Sequence, residues 1–174
     1  MNTELLSRTR IFDGRAFRVE VDRVKMPTGH IVDMELIRHA GSVVLLPIPE
    51  PGTIILIRQF RYTVGREIWE LPAGGVKPGE DLSAAAAREC EEEIGLAPHK
   101  VTALRPYYPT PGICDEVMNY FLCEDLRPPA ADSTARQDED EDIEPRAFTI
   151  AEARALITGG EIVDLKTLAG LSLI

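Results

Sequence analysis

Three glutamates share one face of a predicted helix, and their spacing suits the binding of a divalent cation. Glu89, Glu92 and Glu93 stand at positions i, i+3 and i+4 of a helix predicted over residues 84–93. Like charges at this spacing destabilise a helix by about 0.2–0.5 kcal/mol per pair, and the helix dipole disfavours anions near its C-terminal end. Carboxylate oxygens are ligands that Mg²⁺ and Mn²⁺ prefer, so a bound cation would offset both penalties. A solvated acidic face is the alternative.

The residues around these glutamates favour a metal site over a solvated face. The small side chains of residues 84–87 would let the helix pack closely on a sheet, and Gly74 and Gly75 would let the backbone approach a ligand. Arg88 could pair with Glu80 and fix the preceding loop against the helix. The stretch therefore predicts a loop and a helix that together hold hard oxygen ligands.

The stretch from Gly74 to Leu96 resembles the Nudix box over all 23 positions of that motif. Cys90 stands where the family usually has an aliphatic residue, and a buried cysteine behaves as a small hydrophobic side chain. The resemblance implies a Nudix hydrolase, an enzyme that uses divalent metals to cut a nucleoside diphosphate linked to another moiety. The matching positions are Gly74, Glu80, Arg88-Glu89-Cys90, Glu92-Glu93 and Gly95-Leu96.

The same resemblance implies a fold and a set of metal ligands. The fold would be α+β, the Nudix fold, with a mixed β-sheet sandwiched between helices and an N-terminal antiparallel β segment. Glu89 and Glu93 would be metal ligands, and Glu92 would bind metal or orient the attacking water. The backbone carbonyl of Ala73 would be a further ligand. The expected cofactor is Mg²⁺, with Mn²⁺ as the alternative, at two or three ions per site.

A proline-containing segment beyond the box resembles the ADP-ribose pyrophosphatase branch of the family. Pro111 lies fifteen residues after Leu96, within Thr110-Pro111-Gly112-Ile113-Cys114-Asp115-Glu116. By this resemblance Glu116 is a candidate substrate contact. The segment could also be a turn between two strands, and the two roles are compatible.

A second feature of that branch is the run Arg58-Gln59-Phe60-Arg61, which precedes the box. By the resemblance Arg61 reaches the substrate diphosphate, and a planar guanidinium suits a phosphate group. Glu70 would be a second polar residue of the same pocket. Surface ion pairs are the alternative for both residues.

Residues 138–144 contain six acidic residues in seven. In the resembling enzymes an acidic loop at this point closes over the metals and supplies a glutamate that activates water. Glu139 is therefore the candidate catalytic base, and Glu141 is the candidate for a further metal contact. A solvated acidic loop is the alternative.

The first 40 residues are predicted to form a separate β-rich segment. Apolar and polar residues alternate in residues 16–37, which indicates a hairpin. In the resembling enzymes this segment exchanges between two subunits, which predicts a homodimer built by residues 1–40 on a Nudix domain of residues 41–174. Glu35 would then contact substrate in the other subunit. An extension of one monomer's own sheet is the alternative.

The remaining elements follow from periodicity and capping residues. Residues 126–145 are rich in proline, alanine and acids and are expected to form a loop. Strands are predicted over 42–48, 53–60, 101–108 and 116–123, and helices after the candidate caps Ser83, Thr149 and Asp164, the second of which forms a capping box with Glu152.

The composition restricts the partners and the compartment. The chain has 174 residues and a formal net charge of −10, so we expect no binding to nucleic acid or to anionic membranes. It has no apolar run near the ~20 residues that span a bilayer. The three cysteines lack CxxC spacing, which predicts reduced thiols in a cytoplasmic protein.

The substrate predicted by the resemblance is ADP-ribose, with AMP and ribose 5-phosphate as products. GDP-mannose or another nucleoside diphosphate sugar is the alternative, since its hydrolases share the arginine and Pro-Gly features. A function of a different class, a non-catalytic Nudix module that binds nucleotide sugars, is disfavoured because every box glutamate is present.

Overall fold

The computed structural model describes residues 2–136 and 142–174, which form ten strands and three helices. None of these helices is long and apolar enough to cross a membrane. The strands are β1 (Glu4–Asp13), β2 (Phe17–Lys25), β3 (Ile31–His39), β4 (Ser42–Pro47), β5 (Thr53–Arg61), β6 (Arg66–Glu70), β7 (Ala73–Gly75), β8 (Ala97–Ala103), β9 (Met118–Arg127) and β10 (Ile143–Thr149). The helices are α1 (Leu82–Ile94), α2 (Ile150–Gly159) and α3 (Leu165–Leu171).

The chain divides into two compact units. The first unit comprises Met1–Gly41 and Tyr108–Val117, and the second comprises Ser42–Tyr107 and Met118–Ile174. The division into residues 1–40 and 41–174 that the sequence suggests remains a prediction, and the first unit also includes the segment around Pro111.

The first unit contains an antiparallel sheet of β1, β2 and β3 in that order. The predicted hairpin is confirmed, because β2 pairs with β3 in register from Phe17 with His39 to Lys25 with Ile31. β1 adds to the other edge of β2, and its register shifts twice along the strand.

Two carboxylates are buried on this sheet and are held by arginines. Arg8 donates from Nε to Oδ1 of Asp22 at 2.7 Å, and Arg38 donates from Nη2 to Oδ2 of Asp22 at 2.9 Å. Arg38 also donates from Nε to Glu20 at 3.0 Å. The hydrogen bond from Arg8, with a smaller contribution from Arg38, holds the pKa of Asp22 below its ordinary range. The arginines are needed because a buried charge without a partner strongly destabilises a fold.

The second unit has the layered architecture expected of the Nudix fold. One sheet has the order β7-β4-β9-β8, with β4 and β9 parallel, and the other has the order β10-β5-β6. Strands β4 and β5 are buried on both faces, since alternate residues pack into two separate apolar clusters. One cluster includes α1 and the other includes residues of α2 and α3, so the predicted helices flank the sheets on both sides.

Two sequence predictions about element boundaries are wrong. The N-cap of α1 is Asp81 and not Ser83, because Oδ1 of Asp81 accepts the backbone N–H groups of Ser83 and Ala84 at 2.9 and 3.1 Å. The predicted loop of residues 126–145 is too long at both ends. β9 continues to Arg127, and β10 begins at Ile143 because it pairs with β5.

One further strand is displaced from its predicted range, and one helix end is confirmed. The strand predicted over 101–108 lies earlier, as β8, at an edge of its sheet that tolerates Pro98. Gly95 ends α1 as expected, with a left-handed φ of 70°.

The capping box of α2 is confirmed and provides a test of the fold. Oγ1 of Thr149 accepts the backbone N–H of Glu152 at 3.1 Å, and the Glu152 carboxylate accepts the backbone N–H of Thr149 at 2.8 Å. We expect Thr149→Ala to lower the free energy of unfolding by about 1 kcal/mol, because a helix N–H loses its acceptor. Thr149→Ser keeps the acceptor and should stay near wild type. Urea unfolding measures both, and equal stabilities for the two variants would contradict the capping role.

Candidate active site

The predicted carboxylate face of α1 lies against the body of the second unit. Ala85 and Ala86 are fully buried, so the helix packs tightly at its N-terminal half. This packing draws Glu89 and Glu93 inward, where they are only 8% and 6% exposed, while Glu92 is half-buried. Buried carboxylates require hydrogen-bond or charge partners.

Arg88 supplies much of the compensating charge. Its guanidinium donates from Nη1 to Glu89 and to Glu92, both at 2.6 Å, and from Nη2 to the carbonyl of Gly75 at 3.1 Å. It also donates from Nε and Nη2 to Glu80 at 2.8 and 3.0 Å, which confirms the predicted pair between loop and helix. The Arg88 contact lowers the pKa of Glu80 to about 2, so this carboxylate is ionised at neutral pH.

The segment that enters the box makes close contacts with the same carboxylates. The backbone N–H of Ala73 donates to Oε2 of Glu93 at 3.2 Å. Gly74 passes so near Glu89 that a Cβ placed there would lie 2.0–2.2 Å from the atoms of its carboxyl group. A Cβ on Gly75 would meet nothing within 4 Å. Gly74 is therefore the box glycine that sets the position of a carboxylate.

The donor set fits a hard divalent cation in its chemistry. Glu89, Glu92, Glu93 and the carbonyl of Ala73 offer only oxygen, the ligand type that Mg²⁺ and Mn²⁺ prefer. Within residues 2–136 and 142–174, no three side chains of Asp, Glu, His or Cys are already arranged around one metal position. Arg88 accounts for part of this, since it binds the carboxylates of Glu89 and Glu92. The metal-ligand roles of these residues remain predictions.

The two predicted pocket residues, Arg61 and Glu70, form a forked ion pair. Nε and Nη2 of Arg61 donate to the two carboxylate oxygens of Glu70 at 2.7 and 2.9 Å. The hydrogen bonds to Glu70 raise the pKa of Arg61, and the negative charge of Glu93 adds to this rise. Burial would raise the pKa of Glu70, but the contacts with Arg61 and Lys166 outweigh burial and lower it. Both residues line a pocket of about 620 Å³ in the second unit.

Sequence reasoning missed the charged residues of α3 that extend this ion pair. Lys166 contacts the Glu70 carboxylate, and its Nζ lies 2.8 Å from Oδ2 of Asp164. Asp164 also accepts the hydroxyl of Thr167 at 2.6 Å, and Oγ1 of Thr167 accepts the backbone N–H of Leu71 at 2.7 Å. Asp164 was expected only as a helix cap. The missed signal was a lysine within the apolar run of the terminal helix.

Glu116 and Glu35, the predicted substrate contacts of the first unit, lie in different surroundings. Oε1 of Glu116 lies 3.8 Å from Nδ1 of His39, and Glu116 is only partly exposed. The segment before it forms the expected turn, since Ile113 and Cys114 both donate to the carbonyl of Thr110. Glu35 is exposed on β3. Their substrate roles remain predictions.

The candidate base Glu139 and the candidate metal contact Glu141 lie outside the described residues. Their roles remain predictions from the resemblance of the acidic segment.

Residues 38–169 match the NUDIX domain, which covers both the box helix and the Arg61–Glu70 pocket. The chain belongs to the Nudix family and is a Nudix hydrolase. Enzymes of this family generally need a divalent metal, in agreement with the all-oxygen donor set.

Similar proteins carry names for pyrophosphatases and related hydrolases. An ADP-ribose pyrophosphatase of Bacillus subtilis is 34% identical over 167 residues, 96% of this chain and 89% of that protein. One of Mycobacterium tuberculosis is 34% identical over 97% of this chain and 81% of its own length. A GDP-mannose pyrophosphatase of Citrobacter koseri is 33% identical over 75% of this chain and 70% of its own.

A crystal structure of an ADP compounds hydrolase shares the fold. Its TM-score is 0.85 over 99% of this chain and 92% of that chain, at 22% sequence identity. The predicted α+β Nudix fold is thus confirmed.

The two box glycines give a matched test of the site. In Gly74→Ala the new Cβ must displace the Glu89 carboxylate, which costs little in folding because a side-chain end can move. We expect turnover to fall at least about 100-fold, the scale of a misplaced catalytic group, with little change in stability. Gly75→Ala, whose Cβ has open space, should keep activity within about twofold. Steady-state kinetics and thermal unfolding measure both, and equal activities would contradict the positioning of Glu89.

Proposed function

We propose that this chain hydrolyses the diphosphate bond of ADP-ribose to AMP and ribose 5-phosphate, with Mg²⁺ as its metal. The names of two relatives at 34% identity support this substrate. The observation that carries the proposal is the position of Arg61 on a pocket of about 620 Å³, within the electrostatic influence of Glu93. A substrate diphosphate is the group that a guanidinium and a carboxylate-bound cation would both attract.

Mg²⁺ would be held by Glu89, Glu92, Glu93 and the carbonyl of Ala73, at two or three ions per site, with Mn²⁺ as the alternative ion. Bound Mg²⁺ would neutralise the phosphate charges and lower the pKa of a bound water molecule. Glu141 would add a contact by the family resemblance.

The residues of the chain would bind the substrate and move a proton. Arg61 would stay on Glu70 through Nε and Nη2 and would offer the remaining N–H groups of its guanidinium to the phosphate oxygens. Water adds to phosphorus, the P–O bond to the leaving phosphate breaks, and one proton leaves the water. Glu139 is the proposed acceptor of this proton by resemblance, and Glu92 the proposed residue that orients the water.

GDP-mannose or another nucleoside diphosphate sugar is the second candidate substrate. The Citrobacter koseri relative supports it, and the arginine and Pro-Gly features are common to both groups of enzymes. A non-catalytic module that binds nucleotide sugars is a third reading of a different class. It would bind ADP-ribose tightly without metal-dependent turnover.

We also propose a homodimer formed through the N-terminal sheet, with Glu35 contacting the substrate of the other subunit. The support is the number of apolar residues that this sheet leaves exposed, among them Ile11 at 62%. Interfaces between subunits cover such residues. The three cysteines are free thiols, which supports a cytoplasmic location.

A substrate panel tests the proposed reaction. With Mg²⁺ and then Mn²⁺, the protein is incubated with ADP-ribose, GDP-mannose, ADP-glucose, NADH and dGTP, and the products are separated by chromatography. We expect AMP and ribose 5-phosphate from ADP-ribose, with slower cleavage of the others and none in excess EDTA.

Glu93→Gln is the control that ties turnover to the box, and it should lower activity by orders of magnitude while the protein stays folded. A clear preference for GDP-mannose would replace the first proposal by the second. Tight ADP-ribose binding without any cleavage would support the binding module instead.

The dimer is tested by sedimentation velocity. We expect wild-type protein to sediment at twice the 19.2 kDa of one chain. Ile11→Lys should shift it towards the monomer, because a buried interface would have to accommodate an unpaired charge. Tyr62→Lys, at a position on the β5–β6 turn that is 90% exposed, serves as the control and should leave the mass unchanged. A monomeric wild type would rule the dimer out.

A further inference from the structure

A lysine is buried at the start of the terminal helix. Lys166 is 8% exposed, and its ammonium group lies between the carboxylates of Glu70 and Asp164. Burying an ammonium group is unfavourable unless it is paired, and replacing buried ion pairs by apolar residues is often neutral or stabilising. Fold stability therefore gives little reason for this group of charges as a whole, although Lys166 compensates the two carboxylates once they are present.

Lys166 shares a carboxylate with Arg61. Glu70 is 2% exposed, and its Oε2 accepts both the Nη2 of Arg61 and the Nζ of Lys166. The lysine thus fixes the Glu70 carboxylate in the orientation in which both oxygens face the Arg61 fork. Its positive charge also offsets the charge of Glu70, which leaves Arg61 more attractive to an anion in the pocket.

The lysine is itself held in place from the opposite side. Oδ2 of Asp164 accepts from Nζ of Lys166 and from the hydroxyl of Thr167, and Thr167 accepts the backbone N–H of Leu71. α3 is thereby tied to the segment that leads from β6 into the box. Asp164 thus holds the Lys166 ammonium group in place, and the ammonium group in turn holds the Glu70 carboxylate. A side chain that is itself held in place can orient its neighbour.

We propose that Lys166, anchored by Asp164, is a positioning residue that acts through Glu70 to orient the Arg61 guanidinium for the diphosphate. The inference rests on the proposed function, because it assigns Arg61 to the diphosphate of the substrate.

A double-mutant cycle tests whether Lys166 acts through Arg61. The four proteins are wild type, Lys166→Met, Arg61→Ala and the double variant, assayed for kcat and KM with ADP-ribose and for the Kd of ADP. We expect Lys166→Met to lower kcat/KM about 10- to 100-fold and to weaken ADP binding. In the Arg61→Ala background the same change should have no more than a twofold effect. A structural role would instead give equal losses in both backgrounds, and that result would overturn the proposal.

Two further variants keep the result unambiguous. Lys100→Met removes an exposed lysine that pairs with Glu124 on the neighbouring strand, and it should leave kcat/KM within twofold of wild type. If Lys166→Met does not fold, Asp164→Asn weakens the anchor and keeps an acceptor for the helix cap. It should give a smaller loss that again disappears in the Arg61→Ala background, and an equal loss there would overturn the proposal.

Failure of this inference is distinguishable from failure of the proposed function. If wild type cleaves ADP-ribose and the cycle is additive, only the role of Lys166 is wrong. If wild type prefers another substrate, the cycle is run with that substrate. If wild type cleaves nothing, the Kd of ADP in the four proteins still decides, and a Kd that Arg61→Ala leaves unchanged would overturn the positioning role.

Discussion

The need to compensate buried carboxylates is the constraint on which the rest of this structure depends. A carboxylate in a low-dielectric interior destabilises the fold unless a cation or several N–H groups meet it. The chain solves this with arginines whose planar forks bind more than one acid at once. Among the residues that the structure describes, Glu20, Asp22, Glu70 and Glu89 are buried acids that each contact an arginine.

At the box this compensation also prepares the chemistry. Arg88 ties the loop residue Glu80 to the helix and occupies Glu89 and Glu92. A cation bound as proposed would compete with this guanidinium for the same oxygens. The Arg88 hydrogen bonds hold these two carboxylates in place. Gly74, which carries no Cβ, leaves the Glu89 carboxyl the space that it occupies.

The sequence predicts the box much better than it predicts the pocket beside it, and the reason is the range of the interactions. The carboxylate face of α1, the Arg88–Glu80 pair and the capping box at Thr149 all join residues within eight positions of one another, so spacing alone indicates them. Lys166 and Glu70 are 96 positions apart and meet only because the folded chain brings the start of α3 to the end of β6. No periodicity marks such a contact.

The boundary errors have a related cause. The acidic composition around Ile143 indicates a loop, but pairing with β5 in the folded chain outweighs that local preference. Asp81 and Ser83 are both good caps, and the geometry of the loop decides between them.

Net charge and local charge act in opposite directions in this protein. At −10 overall, the chain repels an anionic diphosphate at long range, yet screening confines that repulsion to about 10 Å at ordinary ionic strength. Within the pocket the charges of Arg61 and Lys166 balance those of Glu70 and Asp164, and Arg66 on the same wall adds one positive charge. A phosphate bound there as proposed would interact with these side chains and with the nearby charge of Glu93 more strongly than with distant surface charges.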